Sequence, residues 1–369
     1  MTTKQILPKN PLTSPALNRP RWSESIARDK SLLWLDKNEN LDPDLMRFAG
    51  KILQEQSAKI LATYPELTSL YQKLADWVGV KPDNLILTPG SDGVIKAVFE
   101  VFVSPGDTVI HTTPTFAMYA VYCQIFGAKE VTLNYEKTDK GPCLSFDNIY
   151  SCLERVRPRL FCLPNPDSPT GTILSPEEIF KLIELCNRNS TIILIDEAYH
   201  PFYGVTCAPL INRFNNLVVA RTFAKAWGLA ALRIGYAIGS IEVIQWLHKL
   251  RPMYEVNTLG ALVVEKMLDY PNEMQASVDR LENGKTYFLN EMIALGYNVL
   301  DGKGNFLHVN FGHDAEKIHE ALKDHVLYRQ NFVEPCLKGF SRFSSTTIDL
   351  FSPIVRIIRN INKSSEVTE

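Results

Sequence analysis

The sequence predicts an α/β protein: a mostly parallel central sheet with helices on both faces, joined to a smaller α+β domain. Three observations carry that prediction. Between Asn84 and Gly239, short runs rich in Ile, Val and Leu alternate with segments of helical apolar spacing, as in chains that build parallel sheets. Gly90, Pro114, Asn165, Asp196 and Thr222 to Lys225 fall at the ends of those runs, where such sheets place ligands. After about Arg251 the alternation gives way to a long helical region and hairpin-like signals.

In order, residues 1–30 are rich in Pro, Asn and Ser and read as an extended arm. Residues 31–60 open the small domain with a short strand in SLLWLDKNEN and a helix from Pro43 to Leu61. Tyr64-Pro65 breaks that helix, because a residue before proline is pushed out of the α region. The large domain, 61–250, starts with the helix LTSLYQKLADWVGV, closed by Gly79. NLILTPG, DTVIHTTP, EVTLNY, RLFCLPNP, TIILIDEAY, LVVARTF and RIGYAIG read as strands. Among them lie helices at SDGVIKAVFEVFV, FAMYAVYCQIFG and Pro176 to Asn187. The small domain resumes over 251–369 with helix to Ala294, the hairpin-like GYNVLDGKGNFLHVNF, the helix DAEKIHEALKDH, VLYRQNF and a last strand, PIVRII. The polar tail NKSSEVTE reads as disordered.

A chain of 369 residues with 45% hydrophobic and 22% charged residues suits two packed globular domains. The net charge of -2 argues against a nucleic-acid surface and points to small-molecule partners. Seven cysteines, an odd number without a C-x-x-C pair, fit buried thiols in a reducing compartment better than disulfides or a zinc site. With no signal-like N-terminus and no apolar run long enough for a bilayer, the expected location is cytoplasmic, away from membranes.

Lys225, flanked by Phe223, Ala224, Ala226 and Trp227, suggests an amine used for covalent chemistry. Gly90-Ser91-Asp92-Gly93 opens a helix after a strand; its free N–H groups could hold a phosphate, or Asp92 could simply cap the helix. Phe116 could stack on a planar ring or pack in the core. Asp196 could hold a proton on a heterocyclic nitrogen, and Tyr199 could donate to a phenolate oxygen beside it. Arg233 and Arg356, set in the apolar stretches ALRIGY and PIVRII, call for anionic partners.

Taken together, NEN at Asn38 to Asn40, TYP at Thr63 to Pro65, PGSDG, NPDSPTG, DEAY and TFAKAWGLAALRIGY resemble the fold-type I aminotransferases that use pyridoxal 5′-phosphate, and most closely their histidinol-phosphate aminotransferase-like branch. The resemblance covers about Leu32 to Arg356. It implies that Lys225 binds the cofactor covalently and then shuttles a proton, that Asp196 keeps the pyridine nitrogen protonated, and that Tyr199 bonds the ring hydroxyl oxygen. It further implies that Gly90, Ser91, Asp92, Thr222 and Arg233 hold the phosphate and that Phe116 stacks on the ring. Tyr64 would reach the neighbouring subunit's site in a homodimer. Asn38, Tyr64, Arg329 and Arg356 would contact substrate, Arg356 its carboxylate. Where the family has Asn before PTG, this chain has Ser168 after Asp167, leaving open whether Asn165, Asp167 or Ser168 takes the place of the ring-oxygen Asn. The segment from Lys338 to Pro353 is longer than the family needs; Arg342 within it reads as part of an exposed loop, with recognition of an anionic head group as the alternative. The implied activity is transamination between an amino acid or phosphorylated amine and a 2-oxo acid, with decarboxylation on the same scaffold as the rival. A non-catalytic regulator of the same fold is disfavoured by the complete Asp196, Tyr199, Lys225 and Arg233 set.

Overall fold

A computed structural model describes Ser14, Leu17 and residues 27–366. The expected arm, residues 1–30, lies almost wholly outside these residues, as do the last three positions of the polar tail.

The chain begins with β1 (Leu33–Trp34) and α1 (Pro43–Gln54). The Asp42 carboxylate accepts from the first-turn N–H groups of α1, and Pro43 occupies a position where no N–H is needed. A short 3-10 turn at Ala58–Leu61 separates it from α2 (Thr68–Val78), which ends at Gly79 with φ +80°. Then come β2 (Leu85–Thr88), α3 (Gly90–Phe102), β3 (Thr108–Thr113), α4 (Met118–Phe126) and β4 (Lys129–Asn134). A small hairpin, β5 (Glu136–Thr138) and β6 (Gly141–Cys143), precedes α5 (Phe146–Val156) and β7 (Leu160–Pro164). After α6 (Pro176–Arg188), capped reciprocally by Ser175 and Glu178, follow β8 (Ile192–Asp196), β9 (Leu217–Thr222), β10 (Gly235–Gly239) and α7 (Ile241–Leu250).

The main sheet has seven strands in the order β2-β10-β9-β8-β7-β3-β4. Only β10 runs against its neighbours. Gly235 at the start of β10 therefore lies opposite both Thr88 and Thr222, at the ends of β2 and β9. That reversal brings Arg233 to the same edge as the carboxyl ends of the parallel strands. Apart from the largely exposed edge strand β4, the strands are buried on both faces because side chains alternate between two helical layers. Ile193, Ile195, Leu217 and Val219 face α2, α5, α6 and α8 (Thr258–Met267); Ile192, Leu194, Val218 and Ala220 face α3, α4 and α7.

The smaller domain contains α9 (Pro271–Ala294), β11 (Asn298–Leu300), β12 (Phe306–Asn310), α10 (Ala315–Leu322), β13 (Val326–Leu327), β14 (Ser341–Ser344) and α11 (Ile348–Glu366). β11, β12 and β14 pair antiparallel, while β1 pairs with β13. The seam between the two cores does not fall at residue 251. Val256 and the α8 residues Ala261, Val263 and Val264 pack in the large-domain core, as do Met274 and Val278 of α9. Phe288 and Met292, near the other end of α9, pack in the small-domain core with Leu307, Phe343 and Ile354. At Gly284, midway along α9, a Cβ would stand 1.8 Å from the Thr346 carbonyl oxygen. Only glycine permits that approach.

Three expectations change here. PIVRII is helical, within α11: Ile354, Val355 and Ile358 are buried while Arg356 and Arg359 face solvent, a helical period. Pro353 lies inside this helix. The polar tail continues that helix to Glu366 rather than being disordered from Asn362. The segment around Arg342 is the buried strand β14, not an exposed loop; its position between β12 and the rest of the small-domain core requires burial.

Candidate active site

A cavity of about 590 Å³ opens at the carboxyl edge of the main sheet, between the two domains. Ser91, Asp92, Phe116, Ser168, Asp196, Tyr199, Thr222, Lys225 and Arg233 all line it.

One end is built for an anion. α3 carries no side-chain cap, and the Asp92 carboxylate is turned aside to accept from the Tyr122 hydroxyl at 3.0 Å. The first-turn N–H groups of a 13-residue helix are thereby left for a ligand. Asp92 does not act as the cap. Gly90, at φ +77°, lies under the Arg233 guanidinium; a Cβ there would come within 2.7 Å of it. Gly235 is equally obligatory, since its Cβ would meet the Gly90 carbonyl carbon at 2.3 Å. Thr222 sits beside them at the end of β9 and fixes the turn by accepting from Ala224 N–H.

At the floor, Asp196 closes β8. Its Oδ1 accepts from Ala198 N–H at 3.1 Å and its Oδ2 from the Tyr119 hydroxyl at 3.0 Å. Both donors are neutral, and burial pushes the carboxyl up to about 6 despite these two bonds. Its neighbour Glu197 is part of a structural knot instead, ion-paired with Arg221 at 2.9 Å and accepting from Cys207 N–H. Phe116 is 42% exposed, with its ring edge-to-face on Tyr119.

Lys225 Nζ donates to the backbone carbonyls of Lys37 and Asn38, at 3.0 and 3.1 Å, and stands 5.7 Å from the Tyr199 ring centroid. Asn38 holds a left-handed conformation, φ +55°. Three side chains lock it there: its N–H donates to Ser344 Oγ, its carbonyl accepts from Asn305, and its Nδ2 donates to the Tyr199 oxygen at 2.9 Å. Because Tyr199 accepts from Asn38, its own O–H proton is available to a ligand oxygen. Asn38 Oδ1 is buried without a hydrogen-bond partner.

Six predicted residues are absent from its lining: Gly90 and Asn38, which touch Arg233 and Tyr199 as described above, Asn165, Arg356 and Arg329, and Tyr64, which was expected at a neighbouring subunit's site rather than this one. Asn165 lines a neighbouring groove, and its Oδ1 accepts from Leu174 N–H at 2.8 Å. That bond occupies only its acceptor; Ser168, not Asn165, is the residue that lines the cavity. Arg356 is exposed on α11 and lines no part of the site, because the helical period turns it outward. Tyr64 is 70% exposed and stacks on Tyr254, 3.9 Å between centroids, away from Lys225. Arg329 is exposed, but its backbone exchanges hydrogen bonds with that of Arg342.

Arg342 is the arginine that the apolar setting demands. It is buried, donates to Ser168 Oγ at 3.4 Å and to the Asp36 carbonyl at 2.9 Å, and leaves Nε without a partner. Among the described residues it pairs with no carboxylate. Burial, reinforced by Arg329, lowers it to about 10. Asp167, from the NPDSPTG motif, is a buried acid: it lines the cavity, accepts from Thr112, Thr115 and Tyr135, and is pushed up to about 7 by burial. At the mouth, Arg28 lies over Trp34 and pairs with Asp36 and Glu39.

Residues 30–350 match the family model for aminotransferases of class I and II, so this chain belongs to that family. Within it, the chain is 31% identical over 334 residues to the histidinol-phosphate aminotransferase of Caldanaerobacter subterraneus subsp. tengcongensis, covering 89% of this chain and 92% of that one. It is 32% identical over 311 residues to the histidinol-phosphate aminotransferase of a Thermoanaerobacter species, covering 81% and 84%. Its fold superposes on histidinol-phosphate aminotransferase from Sinorhizobium meliloti, solved with pyridoxal 5′-phosphate, with TM-score 0.78 at 21% identity over 90% and 91% of the two chains.

The family implies pyridoxal 5′-phosphate, and the residues present fit that group. An uncapped helix with an arginine and two obligatory glycines suits its phosphate, and a buried acid bonded only to neutral donors suits its protonated ring nitrogen. Among the described residues, no helix is long and apolar enough to cross a membrane.

Proposed function

We propose that this chain transfers an amino group between an amino acid, or an amine bearing a phosphate, and a 2-oxo acid such as 2-oxoglutarate. A donor like histidinol phosphate, the compound in its relatives' names, is the first candidate. One observation carries the reading: anion-seeking groups flank an amine that carbonyls, not a carboxylate, hold in place. Ser91 and Asp92 of α3 and Arg233 line the cavity with Lys225, and Arg342 lies behind its wall, against Ser168.

Bound pyridoxal 5′-phosphate supplies an electron sink for the negative charge that develops at the reacting carbon. The protein's own residues do the rest. The α3 N–H groups, Thr222 and Arg233 would bind the phosphate, Asp196 would hold the ring N–H, and Tyr199 would donate to the ring oxygen with Ser168 close by. The Lys225 amine would take a proton from the substrate carbon and later give one back, as general base and then general acid. Arg342 orients the substrate carboxylate, a role the extended stretch PIVRII had suggested for Arg356. Arg329, beside it, is placed to meet a second anionic group.

We further propose a homodimer in the cytoplasm. The exposed Leu61, Tyr64, Met253 and Tyr254 support a covered apolar surface, and six buried free thiols among seven cysteines support a reducing compartment.

Two measurements test the reading. The purified protein should be yellow, and Lys225→Ala should lose the borohydride-reducible cofactor adduct; an unchanged adduct refutes the role of Lys225. A panel of amino donors, phosphorylated ones included, should yield product only with an oxo acid present. Carbon dioxide release without oxo-acid dependence would instead establish decarboxylation.

A further inference from the structure

The Asp196 carboxylate is held by two donors, and the one on Oδ2, Tyr119, comes from α4, which packs on the sheet face shared with Ile192 and Leu194. Tyr119 is completely buried. One helical turn before it, Phe116 meets its ring edge-to-face, 6.2 Å between centroids at 88°. His111 stacks along the ring at 6.0 Å and 27°. His111 is itself fixed, with Nε2 2.9 Å from the Glu130 carboxylate and Nδ1 2.7 Å from the Thr112 carbonyl. A phenol clamped between two rings has one place for its hydroxyl, and that place is Asp196 Oδ2. Burial and the nearby Asp196 charge push the hydroxyl well above its ordinary range, so it remains a donor at every working pH. The remaining lone pairs of Asp196 then point to the cavity.

We propose that Tyr119 is a positioning residue that holds and aims the Asp196 carboxylate toward the cofactor's ring nitrogen. This rests on the reading that Asp196 binds that nitrogen. The bond from Tyr119 is one of the two that favour the ionised carboxylate. Without it a buried acid takes up a proton more readily, and a protonated acid cannot hold a ring N–H.

The test uses Tyr119→Phe in the full chain, with cofactor affinity titrated across pH as well as turnover. The expected dissociation constant rises on the order of tenfold at neutral pH, the scale of one hydrogen bond to a charged group. The acid limb of cofactor binding should move to higher pH, with kcat falling and the KM for amino acid nearly constant. A merely structural hydroxyl would lower the melting temperature and leave the acid limb in place; a folded variant with an unmoved limb overturns the proposal. In an Asp196→Asn background the same substitution should have no further effect on affinity. Unchanged affinity in Asp196→Asn alone would mark failure of the Asp196 assignment, a different result from an unmoved limb in Tyr119→Phe. Should Tyr119→Phe not fold, 3-fluorotyrosine at position 119 keeps ring and hydroxyl and strengthens the donor. A limb displaced to lower pH supports the proposal, and an unmoved one overturns it.

Discussion

Replacing Arg342 by methionine should make the cofactor-free protein more stable and the enzyme much worse. A guanidinium lowered from 12.5 to about 10 is disfavoured in its charged form by about 3 kcal/mol. Methionine removes that cost and forfeits the charge-assisted hydrogen bond to the Asp36 carbonyl, about 2 kcal/mol. The 3.4 Å contact to Ser168 is too long to matter much. A net gain of about 1 kcal/mol remains, in line with apolar replacements of buried ions, and it corresponds to a rise of about 1 °C in melting temperature. On the proposed role of Arg342, the same change removes the charged partner of the substrate carboxylate, so kcat/KM should fall about 100-fold or more. An unreactive dicarboxylate such as maleate separates the effects: it should raise the melting temperature of the wild type with concentration and leave Arg342→Met unaffected. A variant less stable than wild type, or one that keeps kcat/KM within about tenfold, would refute the reasoning.

Asp167 gives a pH signature. Its folded value, about 7, lies above its unfolded one near 3.8, so the folded state binds the proton more tightly. Stability is therefore lost as pH rises from about 4 to about 7, by about 4 kcal/mol once fully ionised. Asp167→Asn should flatten that slope and raise the cofactor-free melting temperature at alkaline pH; an unchanged slope in melts across pH excludes Asp167 as its source. Gly235→Ala places a methyl 2.3 Å from the Gly90 carbonyl carbon and 2.5 Å from Ser91 N. It should destabilise by about 2 kcal/mol and weaken cofactor binding in a titration, since it displaces the start of α3. Arg356→Ala, at an exposed helical position, should leave the KM for amino acid within about twofold of wild type; a larger rise in steady-state kinetics would return it to the substrate site.

The large domain was legible because its strands are apolar on both faces and end in chemistry. TIILIDEAY and LVVARTF identified β8 and β9, and with them Asp196, Tyr199, Thr222 and Lys225, without any knowledge of pairing. Two helices, α5 and α7, escape a reading led by strand runs although their signals are present. Ser145 and Ser240 cap them, and Ile149, Cys152 and Leu153 in one, Val243, Ile244 and Leu247 in the other, follow helical spacing. The small domain was less readable. PIVRII joins β-branched residues, a strand signal, to a proline, which argues against a helix interior, yet Ile354, Val355 and Ile358 match one face of a helix equally well. Arg342 hid in a Ser- and Thr-rich stretch whose burial depends on pairing with β12, a long-range fact that no local pattern contains. Tyr119 was accessible only as the residue one turn beyond Phe116, without any hint that Asp196 lay against it.

α9 has a consequence for motion. Its 24 residues form a rod about 36 Å long, embedded at one end among the residues that carry the cofactor site and at the other beneath the strand that carries Arg342. Gly284 presses against the Thr346 backbone near its middle, in the position of a fulcrum. A tilt of about 5° there would move each end by about 1.5 Å, enough to bring a guanidinium into or out of hydrogen-bond range of a carboxylate. One helix thus belongs to both cores, and a bulkier residue at position 284 would have to displace the Thr346 backbone that joins them.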